Sequence, residues 1–267
     1  MSKLFKGVNA AFIGVVFLYI WLPLLAVIVF SFNEGRYAVY WQGFTLHWYY
    51  ELLRDTLTLN AFRVSVIVTS FTVLISTVFG TLAAYGIYKY KFWGKEILRG
   101  TLILPLVMPC VIMGISLLLF FSRVLQMPLG YVSIIAAHVA FSIPLVTFIV
   151  LARMQRVDWT LEEAAMDLGA NRLTTWRRVI IPMLTPGILA SVALTIPWSF
   201  NDFVITFFVT GVGTTPLPVR IYSMIRLQGI SPVINALGTI VVVGSILIIL
   251  AVQIGALIRQ KRAETAE

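Results

Sequence analysis

Long uninterrupted apolar runs constrain this chain more than any other feature. The hydrocarbon core of a bilayer is about 30 Å thick and takes about 20 helical residues to cross. Six stretches reach that length, near 9–31, 64–88, 100–122, 130–152, 184–209 and 235–258. Backbone polar groups find no water in lipid, so a spanning segment must be a helix or part of a closed barrel. Runs of this length predict helices, and the fold class expected is an all-α membrane protein, 1–267, with six transmembrane helices in a single domain. With 60% hydrophobic and 12% charged residues, the chain has too little polar surface to cover a soluble domain, which carries roughly 25% charged residues. Pro23, Pro105, Pro109, Pro144, Pro186 and Pro197 fall inside the runs, which predicts kinked helices around a pathway.

The first apolar run, from Val8 to about Phe32 behind a charged start, is too long for the apolar core of a signal peptide, and no small-residue cleavage site follows. It reads as a retained span. The basic residues, net charge +9, sit in short segments between the runs, whereas a nucleic-acid footprint would gather them on one soluble face. No nucleic-acid partner is expected. Cys110 is the single cysteine, so neither an internal disulfide nor a Cys-x-x-Cys metal site can form.

Orientation follows from the excess of Lys and Arg on the cytoplasmic side of membrane proteins. With the N-terminus inside, Lys3, Lys6, Lys89, Lys91, Lys95, Arg99, Arg153, Arg156, Arg172, Arg177, Arg178, Arg259, Lys261 and Arg262 are cytoplasmic. Arg36, Arg54, Arg123, Arg220 and Arg226 are outside, and Arg63 opens the second span. Both termini are therefore expected in the cytoplasm. The outer loop near 32–63 is rich in aromatics, Trp41, Trp48 and Tyr49 among them. It suits an interfacial aromatic belt or the docking of an outside protein or substrate.

The cytoplasmic connection 153–182 is far longer than the joining of two spans requires, and long ordered loops are usually functional. Thr160 with Glu163 reads as a capping box. Leu161, Ala164, Ala165 and Leu168 fall on one helical stripe, and Gly169 is placed to end that helix in a left-handed conformation. A second short basic helix is expected from about Thr174 through Arg177 and Arg178, before Pro182 opens the next span. The stripe could lie on lipid, but its alanines suit close approach by another protein.

Glu163-Ala164-Ala165, Gly169 and Pro182 stand at the spacing of the signature loop of bacterial ABC importer permeases, and the stretch resembles it; Val179 and Ile181 replace the usual Ile and Leu. The resemblance implies a type I importer permease with a cytoplasmic coupling helix, in the bacterial inner membrane. It implies two cytoplasmic ATPase subunits carrying ATP and Mg, a second homologous permease and an extracytoplasmic substrate-binding protein. No catalytic residue, metal or cofactor is expected in this chain itself, whose Gly94-Lys95 lacks the rest of a phosphate-binding loop.

For a substrate path the candidates are Asp202, Asn201, Trp198 and Trp48. Asp202 is the one acid placed inside a span, where charge is costly and usually functional. About 24 Å along the helix from Pro186, an unpaired carboxylate there could hold a cation beside Trp198 and Phe200. It could equally be a wetted helix end, or be paired with Arg220 or Arg226. His138 is expected to be a packing residue. Tyr19 to Pro23, Ser31 to Asn33, Trp41 to Thr45, Trp48-Tyr49, Phe207 to Gly211 and Leu217-Pro218 resemble the second permease subunit of spermidine/putrescine importers over nearly the whole chain. That resemblance implies polyamine import. In those relatives acids often occupy both positions held here by Asn201-Asp202, and an acid often stands where this chain has Cys110. Another small solute (an amino-acid derivative, an opine or a sugar) is the alternative cargo. A stand-alone ion-coupled transporter would show inverted repeats and more intramembrane charge. A membrane enzyme would need a nucleophile–base or metal constellation that two histidines and one cysteine do not make.

Overall fold

A computed structural model of the chain describes residues 2–35, 40–229 and 231–247. In order, the helices are α1 Ser2–Phe30, α2 His47–Arg54, α3 Thr56–Lys89, α4 Lys95–Val107, α5 Cys110–Val124, α6 Tyr131–Met154, α7 Thr160–Asp167, α8 Arg172–Phe200, α9 Val204–Val209, α10 Leu217–Gln228 and α11 Pro232–Leu247. The described residues contain no strand, only a single antiparallel bridge between Asn33 and Phe44. The all-helical expectation therefore holds over what is described.

The apolar runs near 9–31, 64–88 and 130–152 correspond to α1, α3 and α6, each long and apolar enough to cross a membrane, and Arg172–Phe200 is a fourth such helix. Two runs go beyond the kinks expected from their prolines and are interrupted. The third, near 100–122, is a pair, α4 and α5, bent by 108° at Met108–Pro109. Pro109 has no N–H to continue the ladder, and Met108 before it is forced extended, with ψ 136°. The fifth, near 184–209, stops at Phe200; Asn201 to Phe203 are non-helical and α9 begins afresh. The sixth, near 235–258, begins within α11, and its part from 248 onward lies outside the described residues, as do Arg36, Arg259, Lys261 and Arg262.

Two compact units are formed, one by Met1–Leu59 with Ile221–Glu267, the other by Asn60–Arg220. In the first, the loop between α1 and α2 folds around the buried side chain of Asn33. Its Nδ2 donates to the Tyr40 carbonyl and its Oδ1 accepts the Gln42 N–H, both at 2.8 Å. Phe32 stacks on Phe44 and tilts against Tyr49. The loop aromatics Phe32, Phe44, Trp48 and Tyr49 thus hold a self-contained turn as well as presenting rings outward.

In the second unit, one apolar core joins Val64 and Val68 of α3, Met113 and Phe121 of α5, Ile134, Ala137 and Phe141 of α6, and Ile205 and Val209 of α9. Another joins Ala84 and Ile87 of α3, Val146, Val150 and Met154 of α6, and Ile180 and Leu184 of α8. Gly80 lets α3 approach α6 closely, since a Cβ there would fall 2.7 Å from Val146. Hydroxyl residues are buried along these helices, including Thr69, Thr72, Ser76, Ser142, Thr147, Ser191 and Thr195. Small polar side chains are the usual material of helix contacts in lipid, where burying leucine against leucine gains little. Large apolar side chains such as Phe71, Leu74, Leu82, Leu189 and Leu194 point outward, the reverse of a soluble protein.

Candidate functional site

Two places in the second unit carry all the residues singled out from the sequence except Trp48. The first is the loop between α6 and α8. Its short helix α7 begins after Trp159, and the expected capping box is absent. The Thr160 hydroxyl and N–H both donate to Oδ1 of Asp158, at 2.8 and 3.1 Å. Asp158 therefore caps the turn, and those hydrogen bonds hold its carboxyl below the ordinary value. Thr160 turned backward cannot reach the N–H of Glu163, and Glu163 is left exposed with no hydrogen bond among the described residues.

The C-terminal end of α7 forms as expected. Gly169 has φ +84°; its N–H donates to the Met166 carbonyl at 2.9 Å and that of Ala170 to Ala165 at 3.0 Å. This paired closure needs a left-handed residue, and glycine adopts one without penalty. The stripe expected on α7 faces outward: Leu161 and Ala164 are exposed, Leu168 is 89% exposed, and Ala165 is half-buried. The side facing the rest of the unit is instead formed by Glu162, which is only 8% exposed. The sequence reading overlooked it beside Glu163.

The next helix starts at Arg172, where Asn171 Oδ1 accepts the Thr174 N–H at 2.9 Å. It then runs unbroken past Pro182, so Pro182 does not open a new span. A π-turn at Trp176–Ile180 shifts the hydrogen-bond ladder just before the proline, which lets the helix absorb a residue without an N–H. The segment that starts at Arg172 and the long apolar helix after Pro182 are therefore one continuous rod.

The second place is the break in the fifth apolar run. The sequence places Asp202 inside a span, either as an unpaired carboxylate or as a wetted or paired helix end. It stands at the helix break, where its Oδ2 accepts the N–H and the hydroxyl of Thr206 at 2.8 and 2.9 Å, tying down the first turn of α9. His138 of α6 lies beside it, with Nε2 3.6 Å from Oδ2. The imidazole is 2% exposed and spans the break, with Nδ1 2.8 Å from Ser199 Oγ and Nε2 2.8 Å from Thr206 Oγ1. Thr206 gives its one hydroxyl proton to the carboxylate, so Nε2 must carry the proton donated to Thr206 Oγ1, and Nδ1 accepts from Ser199. One ring thus staples the end of α8 to the start of α9.

Oδ1 of Asp202 has no hydrogen bond among the described residues, and the side chain keeps 14% of its exposure. Asn201 and Trp198 are exposed, and Trp198 meets Phe141 edge-on at 6.4 Å. Trp48 belongs to the first unit, where its indole N–H donates to the Asn33 carbonyl at 2.7 Å. A helix stop at Asn201-Asp202 followed by the apolar run from Phe203 was a readable signal for this break.

Residues 76–263 match the family described as the binding-protein-dependent transport system inner membrane component. The spermidine/putrescine transport system permease protein PotC of Escherichia coli (strain K12) is 36% identical over 254 residues, covering 95% of this chain and 94% of that protein. The putrescine transport system permease protein PotI of the same strain is 35% identical over 231 residues, covering 84% and 82%. Among solved structures, a chain of a bacterial ABC transporter involved in import of the acidic polysaccharide alginate superposes with TM-score 0.71 at 19% identity, covering 95% of this chain and 96% of that one. A chain of the MetNI methionine ABC transporter superposes with TM-score 0.58 at 16% identity, covering 80% and 97%. The fold is thus that of ABC importer permeases, and the chain belongs to the family of binding-protein-dependent transport system inner membrane components.

Proposed function

We propose that this chain is the membrane permease subunit of an ATP-driven importer that passes a polyamine, of the spermidine or putrescine kind, from an extracytoplasmic binding protein to the cytoplasm. The observation that carries the coupling role is α7: a helix closed at both ends, presenting Leu161, Glu163, Ala164 and Leu168 outward, joined by the tight turn at Gly169 to the long unbroken helix α8. A short rigid helix transmits a push that a floppy loop would absorb. Two cytoplasmic ATPase subunits holding ATP and Mg would seat α7, a second homologous permease would complete the pathway, and both termini would lie in the cytoplasm. The names of the sequence relatives support a polyamine cargo. So does Asp202, whose Oδ1 can still accept from an ammonium group while Oδ2 holds α9.

The test is uptake of labelled putrescine and spermidine by cells lacking their own polyamine importers, given this chain with its neighbouring ATPase, second permease and binding protein. Uptake that requires all four and collapses when the ATPase is inactivated supports the reading. Polyamine exclusion with uptake of a neutral solute would keep the permease role and overturn the cargo, and uptake by this chain alone would overturn both.

A further inference from the structure

We infer that Glu162 and Lys89 form the strut through which displacement of the coupling helix reaches the cytoplasmic end of α3. The inference rests on the reading of α7 as the element that docks the ATPase. Lys89 is the last residue of α3, where the helix dipole favours a cation. Its Nζ lies 2.5 Å from Oε2 of Glu162, an ion pair without the alignment of a hydrogen bond. The same ammonium sits 4.3 Å from the centroid of the Trp159 ring. Trp159 is itself fixed by donation from its indole N–H to the carbonyl of Met154, the last residue of α6, at 3.1 Å, and by stacking on Tyr88 at 5.1 Å. The Tyr85 hydroxyl reaches Oε1 of Glu162 at 3.4 Å while its ring meets Trp176 of α8 edge-on.

On the inner side of α7 the Glu162 carboxylate therefore meets two residues of α3, Lys89 and Tyr85, which rest in turn on Trp159 and on Trp176 of α8. Among the described residues the ion pair is the charged contact between α7 and α3; Trp159 stacked on Tyr88 is the apolar one beside it. Beneath α7 lies a cavity of about 360 Å³ lined by Tyr85, Lys89, Glu162, Met166, Arg172 and Trp176, so the body of α7 is held off α3 there and the ion pair bridges the gap. The chain already links α7 to α6 and α8, but α3 is reached from α7 only across space. Without the pair α8 would follow the ATPase while α3 lagged, and hydrolysis would run without transport. Buried ion pairs add little net stability, so a mechanical role accounts better for this pair than a stabilising one.

The test uses the assembled transporter in proteoliposomes with loaded binding protein, measuring cargo uptake and ATP hydrolysis together. Glu162→Gln and Lys89→Met should each lower uptake at least tenfold while hydrolysis stays within twofold. The exchange Lys89→Glu with Glu162→Lys should recover at least a third of the uptake, and Lys89→Arg should retain most of it. If a single variant fails to insert, the apolar pair Lys89→Met with Glu162→Met leaves no charge unpaired and should show the same uncoupling. An unchanged ratio of uptake to hydrolysis in these variants would overturn the strut, as would an exchange no better than the single variants. Glu163→Lys serves as the control. If it strips the ATPase from the complex while the Glu162 variants transport normally, only the strut fails; if it too leaves association and uptake intact, the docking role of α7 fails.

Discussion

Replacing Asp202 by Asn and by Ala separates the cap that the carboxylate provides to α9 from the hold on cargo proposed for it. Oδ2 holds the N–H and hydroxyl of Thr206, and the oxygen of an Asn in the same rotamer can keep that grip without charge. Ala cannot, and loss of such a cap costs about 0.5–2 kcal/mol. Oδ1 is the atom left for cargo. A hydrogen bond between an ammonium and a carboxylate is worth about 1.5–3 kcal/mol, which at about 1.4 kcal/mol per factor of ten predicts a roughly ten- to hundredfold loss. The binding protein sets the half-saturating cargo concentration, so the loss should appear in the maximal rate. Labelled putrescine uptake into proteoliposomes at saturating loaded binding protein reads it directly. Asp202→Asn should insert normally and lose at least tenfold in rate, and Asp202→Ala should lose stability as well. Full uptake by the Asn variant, with only the Ala variant impaired, would refute the argument and leave Asp202 as a cap for α9.

Gly169→Val should leave membrane levels unchanged and cut uptake several-fold. No neighbour stands within 4 Å of the added Cβ, so the cost is the left-handed backbone, about 1–2 kcal/mol, and Gly169→Asn should keep most activity because Asn tolerates that conformation. His138→Leu should lower the melting temperature of the purified complex, since it removes the hydrogen bonds to Ser199 and Thr206 at about 0.5–1.5 kcal/mol each; an unchanged melting temperature would dismiss the staple. A reporter fused after Gln260 should read cytoplasm and one near Tyr40 the outside, and opposite signals at either site would overturn the orientation.

Much of this was legible because lipid leaves few choices. A run such as 130–152 can only be a helix, and α6 is one. The turn at Gly169 was legible because a single residue type meets its φ. What the sequence hid were choices between neighbours. Thr160 had two acids within reach, and the one behind it, Asp158, won by needing only a local turn. Glu162 and Glu163 look alike in sequence, yet the helical step between them turns one toward Lys89 and the other outward. His138 read as packing, and its role emerged only when residues 61 and 68 positions away closed on it. Pro109 and Asn201-Asp202 marked the places of the two breaks, but apolar residues continue on both sides of each and hid how complete the interruptions are.

The bend at Met108–Pro109 has a consequence for solvation. Each helix end leaves up to four backbone groups without partners inside the helix. Here the carbonyl end of α4 and the amide end of α5 open within one apolar run, beside the exposed Met108, Pro109 and Cys110. Hydrocarbon cannot satisfy such groups, so this flank must be wetted or covered by protein. A lone copy of the chain in a bilayer would carry that demand unmet, and the cost of leaving it so favours assembly over a dispersed, solitary subunit.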